Sequence, residues 1–414
     1  MSRVNQAVGP GLAPPVLGDA HDHGDVPADA RAYPFDAGPY DRFPPPLGAF
    51  TVDLAVVRRR AVLVVLIAWV PLLILSAMDG HALGDPPAAF LLDVPAYARY
   101  LVVLPLLIVA ERITLPKLGE VAQQFATSGL LAPQERGRFD ALMAKSRRLL
   151  SSPATTIVIL GLAYLLTVRL SERANPDGVS TWAAPITDGV RQMSPAGWWR
   201  ALVSQPLYVA LMGLWLWRSL VWSYFLLRVS RMDLRLVASH PDHLGGLQFA
   251  VWSTRAFPLV AIAIGTAIAG NLAQRILFDG ASIMQFKTVI GIVIGLVLLL
   301  FVAPLLALRL PLRRLRSRGI LTYGELAADL GQRFESRWLK PGGDVSDESM
   351  DSPNFSAVTD AYSIVANVSA IKLIPIDVKE TGLLVLATLL PFVPLLLVMI
   401  PAAELLKFVV NLLL

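Results

Sequence analysis

The sequence predicts an all-α polytopic membrane protein, a bundle of about seven transmembrane helices carrying a helical cytoplasmic layer. Three observations carry this. Of the 414 residues 55% are hydrophobic and only 16% charged, against roughly 25% charged in soluble domains. The deficit is concentrated in apolar runs long enough to cross a bilayer. The basic residues gather at alternate ends of those runs, as the positive-inside rule requires.

The runs set the expected spans. They are Ala61 to Met78, Arg99 to Ile113, Ala154 to Leu170, Trp198 to Leu227, Phe257 to Ile276, Thr288 to Leu308 and Thr381 to Ile400. Arg58–Arg60, the cluster from Lys117 to Arg148, Arg228 to Arg235 and Arg309 to Arg318 all fall on one side if the N-terminus is cytoplasmic. The stretch from Asp79 to Ala98 has Asp79, Asp85 and Asp93 and no Lys or Arg, as an outer loop should. The division that follows is a Pro-rich tail (1–55), spans one and two (56–113), cytoplasmic helices (114–152), spans three and four (153–228), a cytoplasmic turn segment (229–254), spans five and six (255–309), cytoplasmic helices with an acidic patch (310–380), and span seven with a C-terminal apolar segment (381–414).

The pieces between spans have helical rhythm. Phe139, Leu142, Met143 and Leu150 recur on one face, as do Tyr323, Leu326, Leu330, Phe334 and Trp338. Such faces build either a compact layer or helices lying flat on the membrane. Pro341-Gly-Gly343 ends the second helix, and Asp344, Asp347, Glu348 and Asp351 follow. The first fifty residues are polar and Pro-rich without an apolar core, so they predict a disordered tail and not a signal peptide. His21 and His23 in that tail lack the fixed geometry a metal site needs. The last apolar piece, Pro401 to Leu414, holds Glu404 and Lys407 and is too short for a further crossing.

Several stretches together resemble a family of uncharacterised bacterial multi-pass inner-membrane proteins. They are Ser194-Pro-Ala-Gly-Trp-Trp199, Arg231-Met-Asp-Leu-Arg-Leu236, His240-Pro-Asp-His-Leu-Gly-Gly-Leu247 and Leu321-Thr-Tyr-Gly-Glu-Leu-Ala327. The resemblance covers the chain from the first span onward. It implies a multi-pass topology in a bacterial inner membrane and carries no activity with it. In that family the position of His243 is often basic, commonly arginine, which counts against a metal-ligand role there.

The candidate site residues are Arg218, Arg231, Arg235, His240, Asp242, His243, Gly245 and Gly246. The run from His240 to Gly246 is close to a metallo-hydrolase motif, but Ala238 stands where the first histidine belongs and no histidine follows His243. The structural reading makes Ser239 a helix cap with Asp242 three residues on and Pro241 in the first turn. The functional reading uses the same turn's backbone N–H groups to hold an anion. Arg218 stands in a long apolar run, where an arginine is costly and functional by default. With Trp198 at the outer belt, about 30 Å of helix brings Arg218 to the inner boundary. There it either snorkels to the head groups or holds an oxyanion. Glu111 is expected to pair with its neighbour Arg112.

Cysteine is absent, which removes disulfides, thiolate metal sites and a cysteine nucleophile. No Walker loop, no G-x-S-x-G and no H-E-x-x-H is present. No cofactor and no metal are implied, and an enzyme is the least favoured class. Two readings stay open: binding or passage of an anionic solute or lipid, and a non-catalytic scaffold or sensor. The partners these admit are the lipid bilayer, a second copy of the chain and a cytoplasmic protein. Nucleic acid is not among them, because the basic residues cluster beside apolar runs.

Overall fold

The computed structural model describes residues 54–84, 88–173, 180–187, 190–338 and 362–399. The Pro-rich tail with His21 and His23, the acidic patch from Asp344 to Asp351 and the segment Pro401 to Leu414 lie outside these residues. The described chain is helical. Its longer helices are α1 (Leu54–Ala68), α2 (Val70–Met78), α3 (Leu104–Thr127), α4 (Arg136–Leu150), α5 (Pro153–Arg173), α6 (Gln205–Val229), α7 (Pro258–Phe278), α8 (Lys287–Phe301), α9 (Arg309–Trp338), α10 (362–369), α11 (Val378–Leu389) and α12 (Val393–Met399). The one sheet among the described residues pairs Ile186–Thr187 with Val190–Arg191.

Among the described residues five helical stretches are long and apolar enough to cross a membrane: Ala55–Met78, Pro195–Val229, Pro258–Phe278, Ile283–Phe301 and Val378–Leu396. A sixth arises if Pro133–Leu150 and Pro153–Arg169, bent by 43° at their junction, form one broken span. The second expected span, Arg99 to Ile113, is not among the five. Its apolar residues are divided between a π-helical turn, Tyr97–Val103, and α3, which continues through Glu111, Arg112, Lys117 and Glu120. The amphipathic helix expected to begin near Tyr323 begins at Arg309, so the arginine run and the apolar face share α9.

Prolines shape the spans, and side chains repair what they break. A proline lacks the N–H that would bond the carbonyl four residues back. Pro71 thus frees the Ile67 carbonyl, which accepts the Trp199 indole N–H at 3.0 Å. Pro206 frees the Leu202 carbonyl, which accepts the Tyr164 hydroxyl at 2.8 Å. Both π-helical turns, Tyr97–Val103 and Arg200–Ser204, lie immediately before a helix with proline in its first turn. In hydrocarbon, where water cannot satisfy a freed carbonyl, such repair lets a helix tolerate proline. It also ties the helices to one another. Further ties run from Ser204 to the Ala68 carbonyl (2.7 Å) and from Trp215 to the Leu107 carbonyl (3.1 Å).

α7 packs against α11 and the 94–103 segment through small residues. Ala261, Ala263, Ala267 and Ala269 are buried on it, and a Cβ at Gly265 would collide with the Thr388 carbonyl. Small side chains let helix backbones approach where the surrounding lipid offers no hydrophobic drive of its own. The main core continues through Phe125, Phe139, Phe225 and Phe249, whose rings meet edge-on, to the ends of α3, α4 and α6.

The connecting segments gather in two sets. At one end Trp182 packs edge-on against Phe90, its indole donates to Asp93 at 2.8 Å, and the Arg200 guanidinium lies over its ring. At the other end the backbone at Leu131 bridges to Leu234, Arg235 N–H donates to the Leu130 carbonyl at 2.7 Å, and Lys372 N–H donates to the His243 carbonyl at 2.9 Å. Ala238, Val368 and Ile371 form a small core there with Leu315 and Tyr323. The second set therefore joins the 128–132 loop, the 230–248 segment, α9 and the 362–372 segment.

Candidate anion-binding site

The candidate residues fall in three places. Arg218 lies within α6 and is only 5% exposed. Its Nη2 is 2.6 Å from Oε1 of Glu111 on α3, whose side chain is nearly as buried. The guanidinium carbon stands 5.0 Å from the Trp215 ring centroid; the contact with Glu111 is an ion pair and not an aligned hydrogen bond, and neither Nη1 nor Nη2 has a hydrogen-bond partner. The snorkelling expectation is therefore not met: the side chain turns into the bundle and not toward head groups. Glu111 pairs across helices and not with Arg112, because adjacent residues on a helix point in different directions. The charge of Arg218 is compensated by its own protein.

The 240–248 segment is a chain of turns, with no helix before Gln248–Val251. Ser239 does not cap a helix, and Asp242 takes the central role. Its carboxylate accepts N–H bonds from Leu244 (2.8 Å), Gly246 (3.0 and 3.1 Å to the two oxygens) and Gln248 (3.2 Å). Nδ1 of His240 is 2.8 Å from the same carboxylate, which requires that nitrogen to carry the proton. Nδ1 then cannot also accept from the Asp242 N–H, 3.3 Å away. Burial pushes the Asp242 carboxyl up, but the N–H groups of Leu244, Gly246 and Gln248 and the His240 imidazole outweigh it and hold the carboxyl below its ordinary value.

This turn needs left-handed backbone. His243 has φ +55°, Gly245 +66° and Gly246 +96°. At Gly245 a Cβ would also lie 2.6 Å from Leu315 Cδ2 and 3.2 Å from the Leu236 Cβ. Gly245 thus serves both the turn and the approach of α9, and Gly246 serves the turn beside Leu130. The N–H groups that sequence reasoning offered to an external anion are taken by Asp242.

Arg231 and Arg235 are exposed. Arg235 serves the 128–132 loop through its backbone. Arg231 opens onto a cavity of about 380 Å³ between α4 and the end of α6, lined by Arg138, Ala141, Leu142, Lys145, Tyr224, Arg228, Arg231 and Met232. No acidic side chain lines it. Arg138 pairs with Glu135 at 2.9 Å, a pair in which the arginine is 73% exposed and which is therefore weak. Lys145, Arg228 and Arg231 have no ion-pair partner among the described residues. The Lys145 ammonium stands 5.2 Å and the Arg228 guanidinium 6.0 Å from the centroid of the same Tyr224 ring. That ring holds two flexible cations against one wall of the cavity.

Sequence reasoning read Arg138, Lys145 and Arg228 only as orientation signals. The signal that could have found the pocket is spacing: Tyr224, Arg228 and Arg231 follow i, i+4, i+7, as do Arg138, Leu142 and Lys145. Among the described residues no three His, Cys, Asp or Glu side chains come together as metal ligands would. Comparison with protein families, characterised proteins and solved structures gives no match.

Proposed function

We propose that the chain is a multi-pass inner-membrane protein of about seven crossings that binds an anionic solute or lipid head group at its cytoplasmic face. The crossings are the five apolar helices, α5 alone of the bent pair, and the apolar stretch from Arg99 to Ile113. The grouping of connecting segments supports this topology. The Asp79–Ala98 segment, which has no Lys or Arg, meets the 180–187 segment around Trp182 and Asp93, and the basic segments meet around Leu234 and His243. The resemblance to bacterial inner-membrane proteins supports the same compartment. The second set of segments, with α4 and α9, is the cytoplasmic layer of this reading.

The observation that carries the binding function is the cavity lined by Arg138, Lys145, Arg228 and Arg231 without a carboxylate. Cations held together in a concave site raise the local concentration of anions. Arginine forks match phosphate and carboxylate oxygens two at a time. Arg218 and the 240–248 turn serve this reading as structure, each already charge-matched within the protein.

The test is the melting temperature of the full chain in neutral detergent with phosphate, pyrophosphate, sulfate or a short-chain phosphatidic acid, against chloride at equal ionic strength. At least one of these should stabilise the wild type and lose most of its effect on Arg228→Gln/Arg231→Gln. Absence of any stabilisation beyond chloride contradicts the binding function and shifts the reading to a scaffold or sensor.

A further inference from the structure

We infer that the basic cavity holds the phosphate of an anionic phospholipid, presented from the inner leaflet. This rests on the anion-binding reading of the same pocket and names the source of the anion. The first argument is depth. Pro195–Val229 is one helical stretch, with Trp198 and Trp199 at its start. At 1.5 Å per residue, Tyr224 lies about 38 Å and Arg228 about 44 Å along it from Trp199. A bilayer has a hydrocarbon core of about 30 Å and a thickness of about 40–45 Å with its head groups. With Trp199 in the outer interfacial belt, and allowing for an ordinary tilt, the cavity lies at the level of the inner head groups.

The walls give the second argument. Ala141, Leu142 and Met232 line the cavity beside the four cations. A lipid phosphate brings charge and glycerol carbons together, and this lining meets both. A free phosphate would leave the apolar wall uncovered. Tyr224 is the third. Its ring is the shared platform of Lys145 and Arg228, and tyrosine favours the interfacial layer, apolar on one side and wet on the other. The volume, about 380 Å³, is at the small end of ordinary ligand pockets and exceeds the need of a single inorganic phosphate.

The experiment uses the purified full chain in dodecyl maltoside and three probes at equal concentration and ionic strength: dioctanoyl-phosphatidic acid, dioctanoyl-phosphatidylcholine and inorganic phosphate. Melting is followed for the wild type, for Arg231→Gln and for Lys145→Gln/Arg228→Gln. Arg231 is exposed beyond the end of α6, so its variant keeps the fold if the double variant does not. The phosphatidic acid should raise the wild-type melting temperature well above the other two probes. The shift should fall by at least half in Arg231→Gln and vanish in the double variant. Equal shifts from phosphatidic acid and inorganic phosphate, both lost in the variants, would overturn the lipid assignment and leave the anion site standing. Equal shifts from phosphatidic acid and phosphatidylcholine would trace binding to acyl chains and overturn it as well. A phosphatidic acid shift that survives in both variants would remove the pocket from both readings.

Discussion

The guanidinium of Arg218 is 2.6 Å from the carboxylate of Glu111, and neither side chain reaches the surface. A buried pair of this kind adds little net stability over a well-packed apolar pair, but removing one partner strands the other. Arg218→Leu should therefore cost about 3–5 kcal/mol, and Glu111→Leu/Arg218→Leu should recover most of it. Arg218→Lys should also destabilise, because the point charge of lysine does not reproduce the planar fork over Trp215. Chemical unfolding in detergent measures all three. A silent Arg218→Lys would contradict the pair and restore a snorkelling arginine.

Asp242 organises its turn by accepting three backbone N–H groups. Asp242→Ala leaves those donors without a protein acceptor and should cost about 2–4 kcal/mol. The pH dependence has a definite sign. The folded carboxyl is held below its ordinary value, so its contribution is complete above the unfolded value of about 3.9 and is lost as pH falls through the folded one. The stability gap between wild type and Asp242→Asn should close as pH falls below about 4. A gap that persisted undiminished in strong acid would contradict the hydrogen-bonded carboxylate.

Gly245 has both a left-handed φ and a Cβ position crowded by Leu315 Cδ2 and the Leu236 Cβ, while Gly280 has a similar φ of +64° with open space around it. Gly245→Ala should cost about 2–4 kcal/mol, from backbone strain and overpacking against Leu315 together. Gly280→Ala should cost only the backbone part, about 1 kcal/mol. Equal losses at the two positions, measured as unfolding free energies, would remove the close approach of α9 from the account.

The Tyr164 hydroxyl bonds the Leu202 carbonyl that Pro206 leaves free. Tyr164→Phe should cost about 1 kcal/mol, and Tyr164→Phe/Pro206→Ala should cost less than the sum of the single changes, since alanine returns an N–H to that carbonyl. Additive losses would show that the hydroxyl does not serve the proline.

Much of the fold was legible because bilayer crossing writes itself locally. A run such as Val62 to Leu75 needs no knowledge of its neighbours, and the basic segments beside such runs, 117–148 and 228–235 among them, meet in space. What escaped was pairwise and remote. Glu111 and Arg218 are more than a hundred residues apart, and no local pattern joins them. Asp242 was legible as a local hydrogen-bonding residue, but its spacing from Ser239 suited a capping box equally well. The left-handed backbone at His243 decided for turns instead. The basic cavity hid because the positive-inside rule already accounted for its arginines and lysine. A residue explained by orientation can also line a site.

The most direct test joins the cytoplasmic side and the pocket in one measurement. The chain has no cysteine, and Ala141 is an exposed residue of the cavity lining, so Ala141→Cys gives a single reporter; Ser180→Cys, in the segment expected outside, is its counterpart. An impermeant maleimide should label Ser180→Cys from the outside of intact cells, and Ala141→Cys only in inside-out vesicles. With purified Ala141→Cys protein in detergent, dioctanoyl-phosphatidic acid should slow the labelling severalfold, and Arg228→Gln/Arg231→Gln in the same background should abolish that protection. Labelling of Ala141→Cys from outside intact cells, or a rate in detergent that no anion changes, would contradict the account.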